Sequence, residues 1–186
     1  MISSLPMKIL GLSGSLRKDS FNTRLLRTAI SLAPDGVTID EFDLSPIPLY
    51  NEDVRAAGFP PVVQQLREAI RGADALLFAT PEYNYSVSGV LKNAIDWASR
   101  PPDQPFAEKP AAVMGATTGL GGTVRAQMHL RQILVGVNVH FVNRPEVAIR
   151  GAADKFDAAG LTDEKGREMV QQLVASLVEW TNRIKR

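Results

Sequence analysis

Short apolar runs and longer amphipathic segments alternate along the chain. Aliphatic and β-branched residues dominate residues 8–12, 37–42, 75–79, 111–116 and 137–142, which have the length and composition of buried strands. Apolar positions recur at helical spacing over about residues 22–32, 61–71, 89–99 and 124–135, and a last helix is expected at about 163–185. Pro60 and Pro61 suit a helix start, where a proline loses no internal hydrogen bond, and Gly72 stands where a C-cap is expected. Strict alternation of strand and helix predicts an α/β fold: a flavodoxin-like, doubly wound, five-stranded parallel sheet in three α/β/α layers, with residues 1–186 forming a single domain. Residues 151–161 are expected to be a loop, because too little chain follows to build another domain.

In such sheets ligands bind beyond the carboxyl ends of the strands, near the point where strand order reverses. That rule selects the segments after the first, third and fourth strands, residues 13–23, 80–88 and 117–123, all rich in hydroxyl, amide or glycine residues.

Composition narrows the function. The 186 residues carry 21 basic and 20 acidic side chains, a net charge of +1, so no strong field draws the chain to nucleic acid or anionic lipid. Cysteine is absent, which removes disulfides and zinc-thiolate sites and leaves any redox role to a cofactor. The stretch MISSLPMKILGLSG lacks the pattern of an export signal, and no run approaches a membrane span, so a cytoplasmic location is expected.

The first loop, LSGSLRKDSFNT at residues 12–23, feeds a helix N-terminus, whose free N–H groups and dipole favour an anion. Ser13, Ser15, Ser20 and Thr23 offer hydroxyls, Asn22 an amide and Arg17 a charge-assisted contact, a set suited to a terminal phosphate. The alternative is that Ser20 or Asn22 merely caps the helix and Arg17 is a solvated surface charge. The GxxxxGK[ST] phosphate loop is absent, and Gly11 and Gly14 stand three apart without completing GxGxxG. In the second loop, Pro81, Glu82, Tyr83 and Asn84 fit a wall for a planar heteroaromatic ligand, with backbone groups to fix its edge. The competing reading has Pro81 starting a turn and Tyr83 and Tyr85 packing on a neighbouring loop or subunit.

Together, GSLRKDSFNT, PEYNYSVSGVLKNAIDW and GLGGTVRAQMHLRQIL closely resemble the NADPH-dependent FMN reductase family, in particular its bacterial quinone and chromate reductase branch. The resemblance spans nearly the whole chain. It implies noncovalent FMN, with Ser13, Ser15, Leu16, Arg17, Ser20, Asn22 and Thr23 on the phosphate and ribityl side. Pro81, Glu82, Tyr83 and Asn84 fall on the isoalloxazine side, and the third loop, with Thr117 and Gly119, crosses the flavin. It further implies a nicotinamide donor, NADPH or NADH, a small-molecule acceptor such as a quinone, chromate, azo compound or free flavin, and a homo-oligomer, dimer or tetramer. Tyr50, Asn51 and Arg125 are the residues expected near substrate, against an ordinary-loop reading for Tyr50 and Asn51; Arg100, Arg125 and Glu146 match charged subunit contacts or plain surface positions. Flavin chemistry asks for no triad and no metal. No side chain is assigned as catalytic acid or base, and His129 and His140 are read as structural. Two other classes compete: a flavodoxin-type electron carrier that does not oxidise nicotinamide, and a binding protein for a phosphorylated metabolite.

Overall fold

The structure is a computed structural model that describes residues 6–185. Residues 1–5, part of the N-terminal stretch read for an export signal, and residue 186 lie outside it. The elements are β1 (Met7–Ser13), α1 (Phe21–Ser31), β2 (Val37–Phe42), α2 (Glu52–Ala56), α3 (Pro61–Gly72), β3 (Ala75–Ala79), α4 (Gly89–Ala98), β4 (Pro110–Ala116), α5 (Val124–Val135), β5 (His140–Phe141), β6 (Val147–Ile149), a 3-10 turn (Ala152–Asp154) and α6 (Glu164–Ile184). The sheet among the described residues is parallel in the order β2-β1-β3-β4-β5, with β6 also paired to β4.

Alternation along the strands feeds two cores. Ile9, Leu77, Ala112 and Met114 pack against α1 and α6, whereas Leu10, Phe78, Ala111 and Val113 face α3, α4 and α5. Every residue of β3 and β4 is buried, as expected of central strands covered on both faces. Among the described residues no helix is long and apolar enough to cross a membrane.

The fifth strand departs from the expected pattern for local reasons. The fifth strand position is shared by two segments. The run expected at 137–142 begins pairing only at His140, because Asn138 takes a left-handed φ of 58° in the turn that ends α5. Pro145, which has no N–H to give a ladder, then interrupts the edge before β6 pairs with the carboxyl half of β4, Met114 to Val147. Residues 151–161 form a loop with its own structure: the 3-10 turn and an antiparallel bridge between Phe156 and Leu161.

For function, the decisive feature is register. Ser13 pairs with Ala79 and Ala79 with Met114, so the carboxyl ends of β1, β3 and β4 lie side by side. The loops that follow them are delivered to one rim.

Candidate functional site

The rim begins with the turn out of β1. Gly14 donates its N–H to Ala79 at 2.9 Å and accepts from the Ser88 hydroxyl at 2.6 Å. A side chain there would meet Ser88 Oγ at 2.9 Å and Pro81 Cδ at 3.0 Å, so only glycine lets the first loop lie this close to the second. Pro81 is thus buried behind the first loop.

Several hydroxyls expected to face a ligand are engaged within the protein. Ser20 caps α1, its Oγ accepting from Asn22 N–H at 3.2 Å and Thr23 N–H at 3.3 Å. Ser13 and Thr23 hydroxyls bond each other at 2.8 Å. The Asn22 amide donates to Ala116 O at 3.0 Å and accepts from Ala116 N at 2.9 Å; it ties the first loop to the third. What remains is a concave set of unused groups. Among the described residues, no protein acceptor takes the backbone N–H of Ser15 or Leu16, and no carboxylate pairs with Arg17. The Arg17 guanidinium lies 5.6 Å from the Phe21 ring centre.

Ser15, Arg17, Ser20 and Asn22 meet Tyr83 and Thr117 around a cavity of about 180 Å³. A second cavity, about 200 Å³, lies on the other side of the same turn and is lined by Ser13, Leu16 and Thr23, with Asp43 and Ser45 from the loop after β2. Larger concavities beside α6, about 220 and 710 Å³, draw on none of the three loops. Neither is lined by residues that follow the carboxyl ends of β1 or β3.

The second loop closes as a tight hairpin turn. Tyr83 and Ser86 exchange backbone hydrogen bonds at 3.1 and 3.0 Å, and the two residues between them, Asn84 and Tyr85, have φ of 48° and 66°, the signature of a type I′ turn. Asparagine tolerates this conformation; for tyrosine it costs on the order of 1–3 kcal/mol. Tyr83 and Tyr85 are exposed. The Glu82 carboxylate, expected on the ring side, is instead turned to α5, where it accepts from the N–H groups of Arg125 at 3.1 Å and Ala126 at 3.3 Å and pairs with the Arg125 guanidinium at 2.5 Å.

Near the end of β4, just before the third loop, a side chain at Gly115 would overlap Thr123 Oγ1 and lie 2.6 Å from Thr80 O, so glycine is required. Gly119 meets nothing nearer than Thr117 Oγ1 at 3.9 Å: its freedom is toward solvent. Thr117 Oγ1 accepts from Gly119 N–H at 3.3 Å and keeps its own proton to donate.

Tyr50 and Asn51 line neither rim cavity. Asn51 caps α2, accepting from Asp53 N–H at 2.8 Å. Tyr50 packs edge-on to Trp97, and its hydrogen bond to the Glu52 carboxylate raises its pKa above the ordinary phenol value. The segment is docked on α4 by Asn93 and Trp97, both donating to Pro48 O at 2.8 Å. His129 meets Ser86 and His140 meets Glu108; among the described residues no group of three or more His, Asp or Glu could hold a metal. Sequence reasoning misses Ser88, Phe21, Thr118 and the residues after β2 at the rim. Ser88 is legible as a cap before α4, since its Oγ accepts from Leu91 N–H at 3.3 Å; Phe21 and Thr118 fall within the loops selected from the sequence, and the residues after β2 become rim residues only through tertiary placement.

A family model for NADPH-dependent FMN reductase matches residues 7–154. An NAD(P)H-dependent FMN reductase of Pseudomonas aeruginosa is 60% identical over 180 residues, covering 96% of this chain and 97% of that protein. An NADPH:quinone oxidoreductase of Arabidopsis thaliana is 49% identical, covering 96% of this chain and 93% of that one. A solved flavoenzyme of Paracoccus denitrificans, an NAD(P)H:(acceptor) oxidoreductase, superposes with a TM-score of 0.87 at 37% identity, over 95% of this chain and 98% of that one.

The Asn22 brace generates a prediction. Asn22→Ala leaves the buried N–H and C=O of Ala116 unpaired, at a cost of about 1–3 kcal/mol for each. Urea unfolding should show a clear fall in midpoint; a loss under about 0.5 kcal/mol, the range of a neutral surface change, would contradict the assigned role.

Proposed function

The chain belongs to the NADPH-dependent FMN reductase family, and we propose that its three loops hold FMN with the phosphate on the first loop and the ring between the second and third. The activity is that of an NAD(P)H-dependent FMN and quinone reductase. The observation that carries this placement is the cavity where Ser15, Arg17, Tyr83 and Thr117 converge. Bound FMN supplies hydride acceptance from the nicotinamide and electron delivery to the acceptor, chemistry no side chain of this protein offers.

The donor set fits the group. The free N–H groups of Ser15 and Leu16 and the guanidinium of Arg17 suit a phosphate at the start of α1. Ser13, Ser20, Asn22 and Thr23 support that loop from behind through the bonds already given. Tyr83 and Asn84, at the type I′ turn, edge the ring, and the side-chain-free surface of Gly119 lets the third loop approach it closely. Thr117 donates its hydroxyl from the same side.

The rim stays open at the third loop, with Leu120 almost wholly exposed, and an open flavin face accommodates acceptors of different shape. Quinones therefore extend to chromate, azo compounds and free flavin, with NADPH or NADH as donor. Tyr50 and Asn51 act on the acceptor side by shaping the approach above α4. Residues 1–186 work as one FMN-binding domain, since both cores are built on the faces of one sheet. A reduced nicotinamide as donor fits a cytoplasmic setting.

Assembly follows from the exposed face of α5. Val124, Met128 and Val135 are exposed there, with Leu120 just ahead of the helix and Tyr85 reached by Arg125, whose guanidinium lies 3.7 Å from the ring centre. Covering such a strip is the expected use of exposed apolar surface beside polar residues, and a homo-oligomer, dimer or tetramer, does so symmetrically. Glu146, which pairs with Arg144 at 3.5 Å, and Arg100 supply charges toward such contacts.

Donor and acceptor use the same exposed face in turn, so double-reciprocal plots of initial rate against donor at several quinone concentrations should give parallel lines. Intersecting lines would contradict a shared face. Light scattering at micromolar concentration should report a dimer or tetramer, and a Met128→Glu variant should dissociate; a monomeric parent protein would refute the assembly.

A further inference from the structure

Helix α5 begins without a cap of its own. Thr123, at its N-cap position, is left-handed with φ of 64° and makes no side-chain capping bond, its hydroxyl being used by Gln127 at 3.2 Å. The first backbone donors of a helix need partners. For Arg125 and Ala126 the partner comes from another loop: the Glu82 carboxylate, a side chain only 9% exposed, 43 residues before Arg125 in sequence. The same carboxylate grips the Arg125 guanidinium, with Nε donating at 2.6 Å. The Cζ of that guanidinium lies 3.7 Å from the centre of the Tyr85 ring, a cation–π contact on the residue held at unfavourable φ.

We propose that Glu82 is the positioning residue that sets the distance between the two loops flanking the ring. One carboxylate satisfies the start of α5, and through Arg125 it holds the strained Tyr83–Ser86 turn against it. Its two oxygens are consumed by these bonds, so its side chain acts on the ligand only through what it holds. A charge-assisted acceptor at a helix N-terminus is also favoured by the helix dipole. Arg125, expected near substrate, thereby transmits the position of α5 to Tyr85.

This inference rests on the FMN reading of the site, and the test separates the two. Full-length parent protein, Glu82→Gln, Glu82→Ala and Arg125→Ala are compared in two ways: FMN affinity by flavin fluorescence quenching, and amide hydrogen exchange in the ligand-free protein. Glu82→Ala should weaken FMN by about tenfold or more, the loss expected when a charge-assisted bond that holds a loop is removed. It should also shift the visible bands of the bound flavin and speed exchange at Arg125 and Ala126. Glu82→Gln keeps an acceptor oxygen for the helix and should restore most of the exchange protection, with FMN affinity between parent and alanine. Arg125→Ala should weaken FMN less than Glu82→Ala and leave Ala126 protected. FMN affinity within about twofold of the parent in Glu82→Ala, with unchanged bands, would overturn the proposal. Should Glu82→Ala fail to fold, unchanged affinity and bands in Glu82→Gln together with Arg125→Ala would overturn it equally. If the parent takes no FMN, the cofactor reading fails, and the exchange rates alone then decide whether Glu82 couples the loops.

Discussion

The site depends on the pair of hydrogen bonds between the Asn22 amide and the backbone of Ala116, residues 94 apart in sequence. Strand register brings the ends of β1, β3 and β4 to one line, but register alone fixes only the strands. Asn22 stands at the start of α1 and Ala116 at the end of β4, so their pairing joins the helix N-terminus to the third loop across the mouth. A buried amide with both ends satisfied is directional and costly to break. It therefore fixes the separation of the first and third loops at the rim.

Around that pairing the polar residues divide their labour. Ser20 serves the helix, Ser13 and Thr23 serve each other, and Ser88 serves Gly14. The groups left for a ligand include the Ser15 and Leu16 N–H groups, the Arg17 guanidinium and the hydroxyl protons of Ser15, Ser20 and Thr117. The hydroxyls of LSGSLRKDSFNT thus both brace the loop and line its cavities, and the helix start adds positive potential to that of Arg17. On the ring side the same economy holds for Glu82, whose carboxylate places α5 and the tyrosine turn and is left with no free oxygen for a ligand.

Much of this is legible in the sequence. The strands at β1 to β4 and the long helices follow from apolar periodicity, and the three rim loops from the rule that ligands bind beyond parallel strand ends. What stays hidden is tertiary. The choice between Asn22 as ligand donor and Asn22 as brace depends on the end of β4, and the true partner of Glu82 is a helix start that local sequence cannot bring near. That Asn51 caps α2 also stays hidden, because a helix of five residues is too short to announce itself by periodicity. The divided fifth strand reflects Asn138 and Pro145, single residues that halt and restart pairing with β4.

If these loops hold FMN in a form that a nicotinamide reduces, the flavin itself reports it. The most direct measurement is anaerobic titration of the purified, FMN-loaded protein with NADPH and with NADH, followed by visible absorption, and then by addition of a quinone. The protein should retain flavin, at least one nicotinamide should bleach it, and quinone should restore the oxidised bands. A protein that takes up no FMN, or a bound flavin that stays oxidised with both donors, would contradict the assignment.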